Sequence, residues 1–160
     1  MVDTDRMAKP YTVVRTTTVH APAETVRAMI HDFHLWPQWS PWEDLDPAMR
    51  RTYSGPDSGA GAGYAWDGNR RAGRGSMTVT ADRPDQVDID LSFEKPFPSR
   101  SRIEFVLTPA GASSTIVEWR MHGELSGVMR VFSVVRSMDA MIGPDFEKGL
   151  ARLKRAVETS

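Results

Sequence analysis

Apolar and polar residues alternate along the middle of the chain. Every second residue is apolar between residues 87 and 93, and the same alternation recurs over 103–107 and 117–121. Successive side chains of a strand point to opposite faces of a sheet, so this period of two predicts half-buried antiparallel strands. Residues 11–20 are rich in valine and threonine, which favour strands, and they predict a first strand before these.

Two other segments have helical spacing. Residues 23–31 follow Ala21-Pro22 and predict a short helix with Glu24 in its first turn. Near the end of the chain, Gly143-Pro144 predicts the start of a second helix, because proline is tolerated in a first turn. Its buried stripe is predicted to consist of Phe146, Leu150, Leu153 and Val157.

Three segments fit neither period. Residues 33–47 contain three of the five tryptophans and three of the eleven prolines, which predicts a broken helix over an apolar opening. Residues 55–75 contain seven of the twelve glycines, which predicts short strands joined by tight turns with positive φ. Residues 127–142 contain nine large apolar side chains and only three charged residues, and they predict a nearly all-round apolar helix or a coiled lid. The whole order predicts an α+β fold, with one face of a sheet packed against a long C-terminal helix.

Length and composition exclude several classes of protein. The 160 residues predict an N-terminal extension over 1–10 and a single domain over 11–158. The formal net charge of −1, without a basic run, argues against a nucleic-acid partner. The absence of cysteine excludes disulfides and thiolate metal sites. The first ten residues lack the basic start and apolar stretch of a signal peptide, and no apolar run is long enough for a membrane span, so we expect a cytoplasmic protein.

Neither a metal nor another cofactor is expected. His31 and His34 are close in the sequence, but their spacing lacks the pattern of a zinc-binding helix, and His122 shares a predicted outward face with Glu118 and Arg120. The glycines of residues 59–63 lack the spacing of a dinucleotide-binding loop.

Four stretches of the sequence resemble one known family. They are Val19-His20-Ala21-Pro22-Ala23-Glu24-Thr25-Val26, then Trp39-Ser40-Pro41-Trp42 with Asp46-Pro47, then Trp66 with Gly68-Asn69 and Gly73-Arg74-Gly75-Ser76-Met77, and last Ile142-Gly143-Pro144-Asp145-Phe146-Glu147-Lys148-Gly149-Leu150. Over residues 11–158 the chain resembles the bacterial polyketide cyclase/dehydrase-like branch of the SRPBCC (START-like, helix-grip) superfamily. The resemblance implies a curved seven-stranded antiparallel sheet that grips a long C-terminal helix around an apolar cavity. Members bind lipids, polyketides and other hydrophobic molecules, and some catalyse cyclisation, dehydration or hydrolysis there.

Large apolar side chains on the predicted inward faces are the candidate ligand contacts, with a packed core as the alternative. Gly149 joins them because a glycine inside a helix invites a packing or ligand-clearance explanation. The predicted ligand-binding residues are Trp36, Trp39, Trp42, Tyr64, Trp66, Met77, Phe93, Phe105, Trp119, Met121, Phe132, Met138, Phe146, Gly149 and Leu150.

The tryptophans of residues 36–42 are further predicted to form a rim or lid with Met129, Phe132, Met138 and Met141, or to cap the core, or to form a dimer surface. No catalytic residue is assigned, although Arg15, Thr17, Arg51, Tyr53 and Tyr64 are the polar candidates. Three hypotheses remain open. They are a binder of a hydrophobic small molecule, an enzyme of the cyclase, aromatase or dehydratase type, and a homodimer formed through residues 127–142.

Overall fold

The computed structural model describes residues 9–43, 45–95, 98–125 and 137–159. In these ranges the chain forms seven strands, which are β1 (Lys9–Val19), β2 (Arg50–Ser54), β3 (Gly63–Asp67), β4 (Arg74–Arg83), β5 (Gln86–Lys95), β6 (Ser99–Pro109) and β7 (Thr115–Leu125). Helix α1 (Ala23–Ile30) and a 3₁₀-helix (Phe33–Gln38) follow β1, and helix α2 (Met138–Glu158) comes last. This order confirms the expected helix-grip fold.

All seven strands belong to one antiparallel sheet in the order β1-β7-β6-β5-β4-β3-β2. The predicted inward faces are confirmed, since Val117, Trp119 and Met121 are buried while the residues between them are partly exposed. On the outer face His122 Nε2 lies 2.7 Å from Glu104 Oε1 of β6. The period of two in the sequence therefore identified the buried face correctly.

Helix α2 packs on the inner face of the sheet, chiefly against β1. The predicted stripe is buried, with Phe146, Leu150 and Leu153 at most 2% exposed. The 3₁₀-helix and α1 cover another part of the same face, and the core lies between these layers. At about 1.5–3 kcal/mol for each fully buried large side chain, the stripe is a substantial part of what holds α2 on the sheet.

The predicted start of α2 at Gly143-Pro144 is wrong, because the helix begins at Met138. Ser137 is its N-cap, with a side-chain oxygen that accepts a hydrogen bond from the Ala140 amide at 3.2 Å. Pro144 therefore lies inside the helix. Steric conflict between a proline ring and the preceding residue involves the Cβ of that residue, and Gly143 has none. The Gly143-Pro144 pair is thus better tolerated inside a helix than the sequence prediction assumed.

Arg15 of β1 forms hydrogen bonds with the first turns of α2. Its guanidinium donates to both carboxylate oxygens of Asp139, at 2.8 and 2.9 Å, and to Glu147 at 3.3 Å. The guanidinium occupies the space where a Cβ at Gly143 would lie. Arg15, a polar candidate from the sequence, thus has a structural partner in α2 and is not part of the cavity wall described below.

The glycine-rich segment has the predicted turns. Gly55, Gly59, Gly61 and Gly73 all have positive φ. A Cβ at Gly55 would also collide with the backbone carbonyl of Gly61. The predicted lid over residues 127–142 lies outside the described residues except for 137–142, which form the N-cap and first turns of α2.

A half-buried ion-pair cluster joins α1 to β4. The Asp82 carboxylate accepts from Arg27 Nη1 at 2.9 Å and lies 2.8 Å from His31 Nδ1. Burial opposes ionisation of this carboxyl, but the hydrogen bonds from His31 and Arg27 outweigh it and lower the pKa of Asp82. The cluster therefore favours the folded state only while Asp82 is ionised.

We expect the free energy of unfolding of the Asp82→Asn variant to be about 1.5–3 kcal/mol lower than that of the parent at neutral pH. A lowered folded-state pKa gives stability that is present above the unfolded pKa of about 3.9 and lost as the pH falls through the folded value. The difference in free energy of unfolding between parent and variant should therefore be smaller at pH 3 than at pH 6. Urea unfolding at the two pH values measures it. Asp57→Asn, at an exposed position, is the control. A difference that is the same at both pH values would contradict this interpretation.

Candidate ligand cavity

A cavity of about 240 Å³ lies between the inner face of β3 to β7 and the segment of residues 36–49. Ile142 of α2 contributes to its wall from the helix side. Its volume equals that of about eight liquid water molecules at roughly 30 Å³ each, which suits a compact ligand of one or two rings. Most wall residues are apolar or aromatic.

The structure brings part of the predicted ligand-binding set to this wall and places the rest elsewhere. The predicted residues on the wall are Trp36, Trp42, Tyr64, Trp66, Met77, Phe93 and Met121. Those in the described ranges but away from the wall are Trp39, Phe105, Trp119, Met138, Phe146, Gly149 and Leu150. Phe132 and Met129 lie outside the described residues.

The residues away from the wall are mainly packed against one another. Trp119 stacks on Phe146 with ring centroids 4.1 Å apart and an interplanar angle of 7°. A Cβ at Gly149 would lie 2.9 Å from the Trp119 ring and 3.0 Å from Pro41. Of the two explanations for Gly149, the structure favours close packing over ligand clearance.

Trp36 and Trp39 do not form an exposed rim. They are 1% and 0% exposed, and their indole nitrogens donate to the backbone carbonyls of Ile30 and Met29 at 2.8 and 2.9 Å. Prolines break the segment, but hydrogen-bonded tryptophans still hold it on the core. Met138 is also buried, whereas Met141 is 37% exposed.

Three polar side chains meet at one side of the cavity. Arg51 Nε donates to Glu43 Oε2 at 2.9 Å, and Arg51 Nη2 lies 2.8 Å from the same oxygen and donates to the Glu43 backbone carbonyl at 3.4 Å. The Tyr64 hydroxyl donates to Glu43 Oε1 at 3.4 Å. Glu43 and Tyr64 belong to the wall, and Arg51 supports Glu43 from β2. Burial and then the Glu43 charge raise the pKa of Tyr64. The tyrosine therefore keeps its proton at neutral pH and is a donor to Glu43.

Tyr53 lies next to this cluster, outside the wall. Its ring stacks on His34 at a centroid distance of 4.1 Å and is tilted against Tyr64 at 5.3 Å. Burial, with a smaller contribution from Glu43, raises the pKa of Tyr53. Thr17, the remaining polar candidate, is partly exposed on β1 and is not on the wall. Of the sequence candidates, Tyr64 thus lies on the cavity wall, and Arg51 is the ion-pair partner of the wall residue Glu43.

Sequence reasoning missed Glu43, Ser40 and Arg71, which also belong to the wall. These residues lie outside the strands, in connections whose geometry has no periodic pattern. A glutamate directly after a tryptophan in the proline-broken segment was the only available signal, and exposed loops commonly contain acidic residues. In the described ranges no group of three or more histidine, aspartate or glutamate side chains is arranged to hold a metal. No helix there is long and apolar enough to cross a membrane.

The indole nitrogen of Trp119 is buried and has no hydrogen-bond acceptor within the described ranges. Trp39, equally buried, has one in the Met29 carbonyl. We therefore expect Trp39→Phe to cost about 1 kcal/mol more free energy of unfolding than Trp119→Phe, because only the first leaves a carbonyl without its donor. Parallel denaturant titrations of the two variants measure this difference. A larger loss in Trp119→Phe would show that its indole nitrogen does have a partner.

Comparison with known proteins identifies the family. The family model described as "Polyketide cyclase / dehydrase and lipid transport" matches residues 10–158. No curated protein matches the sequence.

Solved structures share the fold at low identity. Norcoclaurine synthase from Thalictrum flavum, solved with dopamine and hydroxybenzaldehyde, superposes with a TM-score of 0.69 at 9% identity, covering 96% of this chain and 90% of that one. A START superfamily protein from Mycobacterium smegmatis superposes with a TM-score of 0.65 at 19% identity, covering 92% and 97%. At these identities the likeness concerns the fold. Because the family model spans nearly the entire sequence, the chain belongs to the polyketide cyclase/dehydrase and lipid transport family.

Proposed function

We propose that this protein binds a hydrophobic small molecule, lipid- or polyketide-like, in the cavity between the sheet and the segment of residues 36–49, rather than in one lined chiefly by α2. The observation that carries the proposal is the apolar wall of the 240 Å³ cavity. Ligand sites are typically concave and mainly apolar, with a few polar groups that fix orientation. The wall meets this description through its aromatic and methionine side chains and the polar cluster around Glu43.

The chemistry of the wall also favours an adaptable site. Met49, Met77 and Met121 contribute flexible, polarizable side chains, which adjust to differently shaped ligands. Trp66 has its indole nitrogen bonded to the Ala72 carbonyl at 3.0 Å, so its ring is held in place as a flat apolar surface. Rigid aromatic and flexible methionine surfaces together suit a compact ring system.

Binding of 2-methylnaphthalene tests this proposal, because the compound is apolar and has two fused rings. A ligand that binds only the folded protein raises its stability in proportion to the logarithm of ligand concentration. We expect a saturable heat of binding in calorimetry and a rising melting temperature. The absence of both would contradict the proposal.

The Glu43–Arg51–Tyr64 cluster favours a second candidate, an enzyme of the cyclase, aromatase or dehydratase type in the same cavity. An ionised carboxylate and a protonated phenol beside an apolar ligand are groups that transfer protons in such reactions. Native mass spectrometry after incubation with an extract of the source cells separates the candidates. A retained compound of unchanged mass supports binding alone, whereas a product lacking one water supports a dehydrating enzyme.

A further inference from the structure

Glu43 has an unequal distribution of hydrogen bonds between its two carboxylate oxygens. Oε2 accepts a hydrogen bond from Arg51 Nε at 2.9 Å and lies 2.8 Å from Nη2 of the same guanidinium. Within the described part of the chain, Oε1 accepts only the Tyr64 hydroxyl, at 3.4 Å. An ionised carboxylate offers about four acceptor positions, and buried acceptors in folded proteins are generally satisfied. Oε1 therefore has capacity for a further donor.

The position of Glu43 makes a ligand the natural source of that donor. The residue is 9% exposed and forms part of the cavity wall. Two of the indole donors on the wall are engaged elsewhere. The indole nitrogens of Trp36 and Trp66 already donate to backbone carbonyls, at 2.8 and 3.0 Å. The wall thus presents an under-used acceptor in mainly apolar surroundings.

We infer that the bound molecule carries a hydroxyl or N–H group that donates a hydrogen bond to Glu43 Oε1 while its apolar rings fill the cavity. The inference rests on the proposed function and specifies the class of ligand as a neutral hydrophobic alcohol, phenol or amide. A charge-assisted hydrogen bond in an apolar site is stronger than a neutral one, so this contact selects among compounds of similar shape.

Charge on the wall decides against a carboxylate ligand of the same size. Arg71 is the other charged wall residue in the described ranges, and it is exposed, so water screens its attraction for an anion. Glu43 is buried, and Arg51 already balances its charge. A ligand carboxylate beside Oε1 would face a like charge and could not donate to it.

Three probes of nearly equal shape test the inference in calorimetry at pH 7. They are 2-naphthol, 2-methylnaphthalene and 2-naphthoate. We expect the parent protein to bind 2-naphthol about tenfold or more tightly than 2-methylnaphthalene. The double variant Glu43→Met/Arg51→Met removes both charges together, which avoids leaving one of them buried and unpaired. Its preference for 2-naphthol should fall to near unity, with binding of 2-methylnaphthalene retained.

Two further variants serve as controls for this test. Glu43→Gln keeps the shape of the side chain and should reduce the preference, because a neutral amide oxygen is a weaker acceptor. Glu118→Gln alters an ion pair with Arg120 on the outer face and should leave the preference unchanged. Equal affinities of the parent for 2-naphthol and 2-methylnaphthalene, or tightest binding of 2-naphthoate, would overturn the inference while the proposed function stands. Failure of all three probes to bind would overturn both.

Discussion

The Phe105→Ala variant is expected to lose about 3–5 kcal/mol of free energy of unfolding. Phe105 is fully buried on β6, and its ring contacts three tryptophans at centroid distances of 4.9 Å (Trp119), 5.9 Å (Trp39) and 6.1 Å (Trp36). These rings belong to the sheet and to the segment after α1, so truncation opens a void where the two layers meet. The loss would be a large part of the 5–15 kcal/mol typical of a folded domain.

Urea unfolding of Phe105→Ala beside Ile116→Ala tests this expectation. Ile116 lies on the neighbouring strand β7 and is 39% exposed, so its truncation should cost far less. Similar losses in the two variants would show that the aromatic cluster does not dominate the core.

The Met121→Trp variant is expected to weaken binding of 2-methylnaphthalene by tenfold or more. Met121 is 5% exposed and its side chain lies on the cavity wall. A larger ring at this position occupies space that the ligand needs, and within the cavity it displaces few packed neighbours. Calorimetric titration measures the loss, and urea unfolding checks that the variant remains folded.

Met141→Trp is the matched control for this substitution. Met141 is 37% exposed on α2 and is not part of the cavity wall. The Met141→Trp variant introduces the same chemical change outside the site, so its affinity for 2-methylnaphthalene should equal that of the parent. Equal affinities in the parent, Met121→Trp and Met141→Trp would place the binding site elsewhere.

The elements of this fold were predictable where one physical rule dominates. Alternation over residues 87–93 and 117–121 identified buried faces, because strand side chains have a strict period of two. The start of α2 was missed because the prediction rested on Gly143-Pro144, whereas the helix begins after Ser137, a favourable N-cap residue. Gly143 before the proline reduces the steric conflict that normally ends a helix there.

The site was less predictable than the fold. Wall residues such as Trp66, Met77 and Met121 were identified from strand parity, but Phe105 and Trp119 share that parity and belong to the packed core. The three-dimensional positions of the segment over residues 36–49 and of α2 distinguish the two groups, because Trp39 and Phe146 pack against Trp119. Glu43 was missed for the same reason, since its contacts with Arg51 and Tyr64 depend on how that segment folds back on β2 and β3.

NMR of the ¹³C-labelled methionine methyl groups during titration with 2-methylnaphthalene tests the central claim most directly. Met49, Met77 and Met121 lie on the cavity wall, whereas Met141 is exposed and lies outside it. We predict that a ring bound in the cavity shifts the methyl resonances of the first three in a saturable way and leaves that of Met141 in place. Unshifted resonances for the three wall methionines, or a shift confined to Met141, would contradict the assignment of the cavity as the ligand site.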